Sequence, residues 1–207
     1  VTTPVYALKP DEVQTGSSNG PGIYLAPVGT ALPADTSTPF GTPWDILGYL
    51  SDDGPTVGQA TDSNDLIPWQ SVVPLRSVIT KRTITLQFIL WQLNELTMGL
   101  YFDADPPTPA ADGSISMTVR SDTPQHLYAI AIDAADADRV MRLGFTRASL
   151  SDAGDMQLKR GEAVPLDCKL TALDDAGVMA TILLGPGSGA LAAGAAAGTT
   201  KSTVRSG

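Results

Sequence analysis

The stretch Val78-Ile79-Thr80-Lys81-Arg82-Thr83-Ile84-Thr85-Leu86-Gln87-Phe88-Ile89-Leu90-Trp91-Gln92 decides the fold. Ile84, Leu86, Phe88 and Leu90 recur at every second position, and Lys81, Thr83, Thr85 and Gln87 fill the positions between them. A repeat of two puts alternate side chains on opposite faces of a strand, so this segment is one long strand with an apolar face turned to a core. Ile89 and Trp91 make its far end apolar on both sides, which predicts burial on both faces there.

Working outward, the same period returns downstream. Ile115, Met117 and Val119 are in phase in one segment, Tyr128, Ile130 and Ile132 in a second, and Met141, Leu143 and Phe145 in a third. Val164, Leu166, Cys168 and Leu170 form a fourth, and Val178 to Leu184 is apolar at nearly every position. Asp and Gly gather between these segments, as hairpin geometry favours. One segment departs from the pattern. Asn94 is an N-cap residue, Glu95 an acid in the first turn, and Leu96 to Phe102 place apolar groups at helical spacing. Pro106, Pro107 and Pro109 bar its continuation. The expected fold is mainly β, an antiparallel two-sheet sandwich or barrel with one short helix at about 94–102.

The length, 207 residues, fits one domain with arms. Residues 1–20 carry Pro4, Pro10, Gly16, Ser17, Ser18, Asn19 and Gly20, which interrupt every apolar pattern, so they read as an N-terminal arm. Residues 185–207 are nearly all Gly, Ala, Ser and Thr and read as a C-terminal arm around a domain of residues 21–184. The 20 Gly and 16 Pro add to the expectation of many turns.

The net charge is −9, and removing Lys201 and Arg205 with the C-terminal arm leaves 11 basic against 22 acidic residues. Such a body repels polyanions, which argues against a broad cationic nucleic-acid surface. No apolar run is long enough to span a bilayer, and Val1-Thr2-Thr3-Pro4 has no basic start or apolar stretch behind it, so a soluble chain without a secretory signal is expected.

One cysteine and one histidine exclude an internal disulfide and a His/Cys zinc cluster, so a metal would rest on carboxylates alone. Asp133 to Asp138, Asp152 to Asp155 and Asp174 to Gly177 bring acids together, but each lacks the spacing of an EF-hand loop and sits where a turn between strands needs Asp and Gly. His126 has serines and aspartates nearby in sequence without a Gly-x-Ser-x-Gly elbow, and reads as a solvated strand-edge residue. Cys168 falls in phase with Leu166 and Leu170 and reads as a small buried apolar side chain. There is no P-loop and no dinucleotide fingerprint, so neither an enzyme nor a cofactor is expected.

Between Trp44 and Phe102 the order of motifs is more specific. Leu47-Gly48-Tyr49-Leu50-Ser51 leads into Asp52-Asp53-Gly54 and a polar loop; Ile67-Pro68-Trp69-Gln70 and Pro74-Leu75-Arg76 follow, then the long strand and Leu93-Asn94-Glu95-Leu96-Thr97. Over these roughly 60 residues the chain resembles the major tail protein, or tail-tube subunit, of long-tailed bacteriophages, above all those of actinobacteria. The resemblance implies a structural virion protein that self-assembles into stacked, hexameric rings. These would form the tube through which DNA is delivered, built in the cytoplasm of the bacterial host. Its implied partners are further copies of itself, the tape-measure, tail-terminator and distal-tail proteins, and double-stranded DNA in transit without specific binding; membrane insertion is not implied. Residues 51–74, long, polar and expensive to order on a monomer, then read as an assembly loop. Asp52, Asp53, Leu66, Ile67 and Trp69 are its expected subunit-interface residues, with Trp69 as anchor. An acidic or neutral channel wall is expected, because cationic contacts would retard a sliding duplex. A carbohydrate- or receptor-binding β-sandwich of a virion or cell surface is the alternative, and a calcium-dependent hydrolase a further one; the former would show aromatic platforms on loops, the latter converging Asp clusters.

Overall fold

The computed structural model describes residues 22–70, 72–122, 124–136 and 139–186. The two terminal arms, apart from Gly185 and Pro186, and Asp138 of the first acidic cluster lie outside them. In chain order the elements are β1 (Gly22–Pro27), β2 (Asp45–Ile46), β3 (Thr56–Leu66), β4 (Arg76–Leu90), α1 (Glu95–Phe102), β5 (Thr108–Pro109), β6 (Ile115–Ser116), β7 (Leu127–Asp136), β8 (Arg139–Ala153), β9 (Leu166–Ala172) and β10 (Thr181–Pro186). The fold is mainly β with one short helix, as the periodicity predicts.

Eight strands form one antiparallel sheet in the order β2-β1-β7-β8-β9-β4-β3, and β5 pairs only with β6. β8 is long enough to take two partners in succession: β10 along Arg139–Gly144 and β9 along Ala148–Ala153. The sheet ends at β2 and β3, so it is an open structure rather than a closed barrel. Its inner face holds the main core, where Leu86, Phe88 and Leu90 of β4 meet Leu166, Cys168 and Leu170 of β9, with Ile23, Ile130 and Phe145 completing the cluster. Helix α1 closes the end of this core with Leu100 and Tyr101.

α1 begins where its cap predicts. The Thr97 backbone N–H donates to Asn94 Oδ1 at 2.8 Å, and the Asn94 N–H donates to Thr97 Oγ1 at 3.0 Å, satisfying two amides that the first turn leaves without helical partners. Asp103, in the left-handed conformation, ends the helix.

Four expectations change. The far end of the long strand, expected to be buried on both faces, has Trp91 exposed and Ile89 only half-buried, because nothing among the described residues packs over that face there. Residues 56–66, read as polar loop, form strand β3, paired with β4 along its whole length. Its sequence shows no apolar alternation because it lies at the sheet edge and is mostly exposed. Gly22–Pro27, not anticipated as a strand, pairs with β7 through six register positions. The segment around Ile115–Val119 contributes only the two residues of β6, held by β5 beyond the proline-rich stretch.

The middle of β7 is buried on both faces, Ala129, Ile130, Ala131 and Ile132 alike. Its outer face is covered by the segment between β1 and β2. Trp44 packs on Ala26, Ala129 and Ala131, with Phe40 and Leu32 beside it. Phe40 stacks on Tyr24 with centroids 4.1 Å apart and meets Trp44 edge-on at 5.2 Å. Gly144 leaves the space Leu32 occupies, since a Cβ there would lie 2.3 Å from Leu32 Cδ1.

Candidate functional site

β4 is longer than the sheet that holds it. Only Thr85–Leu90 pairs with β9, whereas Arg76–Ile84 pairs with β3 alone. Those nine residues and their partners project as a two-stranded ribbon of about 30 Å, a structure marginally stable on its own in water. The ribbon carries a register shift at Asp62/Ser63, where the Thr80 hydroxyl donates to the Asp62 carbonyl at 3.2 Å. Such a bulge increases twist and re-aims the strands beyond it.

The tip of this ribbon is apolar and solvated. Leu66 and Leu75 close it through a backbone hydrogen bond of 2.9 Å. Trp69 is 98% exposed and Val72 94%, and Leu66, Ile67, Val73 and Leu75 are exposed beside them. Isolated exposed apolar residues are ordinary, but a contiguous group with a Trp at its centre marks an interaction surface.

The five residues expected at an interface are thus divided in space. Leu66, Ile67 and Trp69 lie together at the tip. Asp52 and Asp53 belong to a tight turn at the other end of β3, about 35 Å away along the strand. There the Gly54 N–H donates to the Ser51 carbonyl at 3.1 Å, the Asp53 N–H to Ser51 Oγ at 3.3 Å, and Gly54 has φ +68°. The exposed Val72, Val73 and Leu75 were missed by sequence reasoning; their clustering beside Trp69 was the available signal.

A second feature lies at the end of the molecule away from the tip. Between α1, β2, the 104–107 segment and the start of β7 is a cleft of about 570 Å³, with Ile46, Leu96, Pro106 and Pro107 on its walls and Asp45 and Glu95 at its polar positions. His126 and Tyr128 also face it. His126 Nδ1 lies 3.1 Å from Asp103 Oδ1, the His126 backbone N–H donates to both carboxylate oxygens at 3.2 and 3.3 Å, and the Tyr128 hydroxyl reaches Asp103 Oδ1 at 3.4 Å. Burial first, then the Asp103 carboxylate, raises the Tyr128 phenol above its ordinary value. Among the described residues, no serine, threonine or cysteine lines the cleft. Asp103, which ends α1, ties the helix to the start of β7.

Asp133, read as a member of an acidic turn cluster, is a strand residue buried against Arg142. Among the described residues no group of three His, Cys, Asp or Glu side chains could hold a metal ion. No helix among them is long and apolar enough to cross a membrane. Cys168 is fully buried in the main core.

A family model described as "Phage tail tube protein" matches residues 6–184 of the chain. No curated protein matches it.

Proposed function

The chain belongs to the phage tail tube protein family, structural proteins of the virion tail, and from that premise we propose that it self-assembles into stacked rings forming the conduit for DNA delivery. The observation that carries this reading is the β3–β4 ribbon with Trp69 exposed at its tip. A ribbon that leaves the sheet, pairs with nothing beyond itself and ends in apolar side chains is unfavourable on a monomer, and a neighbouring subunit removes both costs. The interface residues are Leu66, Ile67 and Trp69 on the tip and Asp52 and Asp53 on the turn at the opposite end, so each subunit offers two contact surfaces rather than one.

In this reading the rings are hexameric and the protein works without a catalytic group or cofactor. Tape-measure, tail-terminator and distal-tail proteins bound the tube, which assembles in the host cytoplasm. Residues 21–184 form the tube domain, and the arms at 1–20 and 185–207 act in assembly. The channel wall bears more acidic than basic groups, consistent with a body of 11 basic against 22 acidic residues, so a duplex slides through without being held.

Trp69→Ala tests the proposal. Tube yield should fall at least tenfold in negative-stain images or sedimentation, while the monomer keeps its wild-type unfolding midpoint. Wild-type yield would overturn it, and so would a lowered unfolding midpoint that accounts for the lost yield.

A further inference from the structure

The tip and the cleft occupy opposite ends of β4. Arg76 begins the strand beside the tip, and Leu90 ends it four residues before Glu95 opens α1. Fifteen residues of strand span about 50 Å, so a chain cannot place its own Trp69 in its own cleft. The neighbouring strands agree on the direction, because β8 ends and β7 begins at the cleft end.

The two surfaces are complementary. The tip presents an exposed Trp with aliphatic neighbours, and the cleft offers about 570 Å³ between Ile46, Leu96, Pro106 and Pro107. Their charges also oppose. Asp45, Glu95 and Asp105 line the cleft, and among the described residues no Lys or Arg lies in its walls. Asp105 pairs with Arg120 at 2.6 Å, and Asp45 and Glu95 have no cationic partner among the described residues. The tip, by contrast, carries Arg76, exposed and in no ion pair among the described residues, with Asp65 on the facing strand.

We propose that this cleft is the socket for the ribbon tip of a second copy of the chain, with Trp69 seated among its apolar walls and Arg76 near Asp45 and Glu95. The inference rests on the reading of the ribbon as an interface and adds its receptor. A knob at one end and a socket at the other make a head-to-tail contact, which stacks copies without limit when its rotation does not close a ring. The Asp52–Asp53 turn, at the same end as the cleft, then lies beside the same contact.

The test uses whole chains. Gln70→Cys and Glu95→Cys chains, each diluted into wild-type protein, are co-assembled into tubes and treated with a short bis-maleimide; Cys168, fully buried, stays out of the reaction. A cross-linked dimer should appear only when both variants are present. Tubes that incorporate both and give no dimer would overturn the socket. Gly99→Trp provides an independent arm, because a side chain there grows into the cleft with only Met117 Sδ, 3.9 Å away, within reach of its Cβ. It should lower tube yield at least tenfold with an unchanged monomer, and full yield would overturn the proposal. If Trp69→Ala abolishes tubes while Gly99→Trp does not, the socket fails and the interface reading survives; if Trp69→Ala tubes form normally, both fail.

Discussion

Arg142 and Asp133 face each other across β8 and β7 as a two-pronged ion pair, Nε to Oδ1 at 2.6 Å and Nη2 to Oδ2 at 2.7 Å, with both side chains almost wholly buried. The remaining guanidinium nitrogen donates to the carbonyls of Asp35 and Thr38 at 2.8 and 2.9 Å, and the Phe40 ring lies 4.2 Å from its carbon. One side chain therefore fastens the 28–44 segment to the outer face of the sheet.

Arg142→Ala should destabilise the monomer by about 3–5 kcal/mol, because it leaves Asp133 buried and unpaired. Asp133→Leu combined with Arg142→Met removes both charges and should cost clearly less. Urea unfolding of the three proteins measures the difference, and equal losses in the single and double variants would contradict the ion-pair account.

Asp35 gives a pH dependence of known sign. Its carboxylate accepts from the Ser37 hydroxyl at 2.7 Å, the Thr38 N–H at 2.7 Å and the Ser37 N–H at 2.9 Å. These bonds, the Ser37 hydroxyl foremost, hold its pKa down to about 2. A depressed carboxylate contributes stability that is complete above the unfolded value near ~4 and lost as pH falls towards the folded one. The stability advantage of wild type over Asp35→Asn should thus shrink between pH 4 and 2 and be constant above pH 5. Paired urea midpoints across that range check it.

At the start of α1, Thr97 is fully buried, and its hydroxyl both accepts from the Asn94 N–H and donates to the Gln92 carbonyl at 2.8 Å. Thr97→Val should cost about 1–3 kcal/mol by stranding both groups, and Asn94→Ala about 1 kcal/mol. Because they share the capping box, the double variant should fall short of the sum. Equilibrium unfolding of the cycle measures the shortfall.

Cys168 should be inert in the folded protein. Burial chiefly, with the neighbouring Asp167 carboxylate second, pushes its thiol up to about 12, so almost no thiolate exists at pH 8. A chromogenic thiol reagent at pH 8 should label it only at the rate of unfolding, and rapid labelling in the absence of denaturant would show a mobile core.

The sequence by itself determined whatever depends on near neighbours along the chain. The apolar face of β4 is the one its period of two predicts: Leu86, Phe88 and Leu90 are buried while Lys81 is exposed. Leu166, Cys168 and Leu170 follow the same rule, and Asn94 starts the helix as a cap residue should. Likewise Trp69 stood out as a large aromatic in a polar stretch. Only the tertiary structure decided the rest. β3 is a strand because β4 hydrogen-bonds to its backbone, and backbone pairing leaves no mark on a sequence whose side chains meet no core. Asp133 resembled a turn acid until β8 brought Arg142 opposite it, and the cleft exists only where α1, β2 and the start of β7 converge. Periodicity records which side of a segment meets water; it does not record which distant segment lies on the other side, because that depends on pairings between residues far apart in the chain.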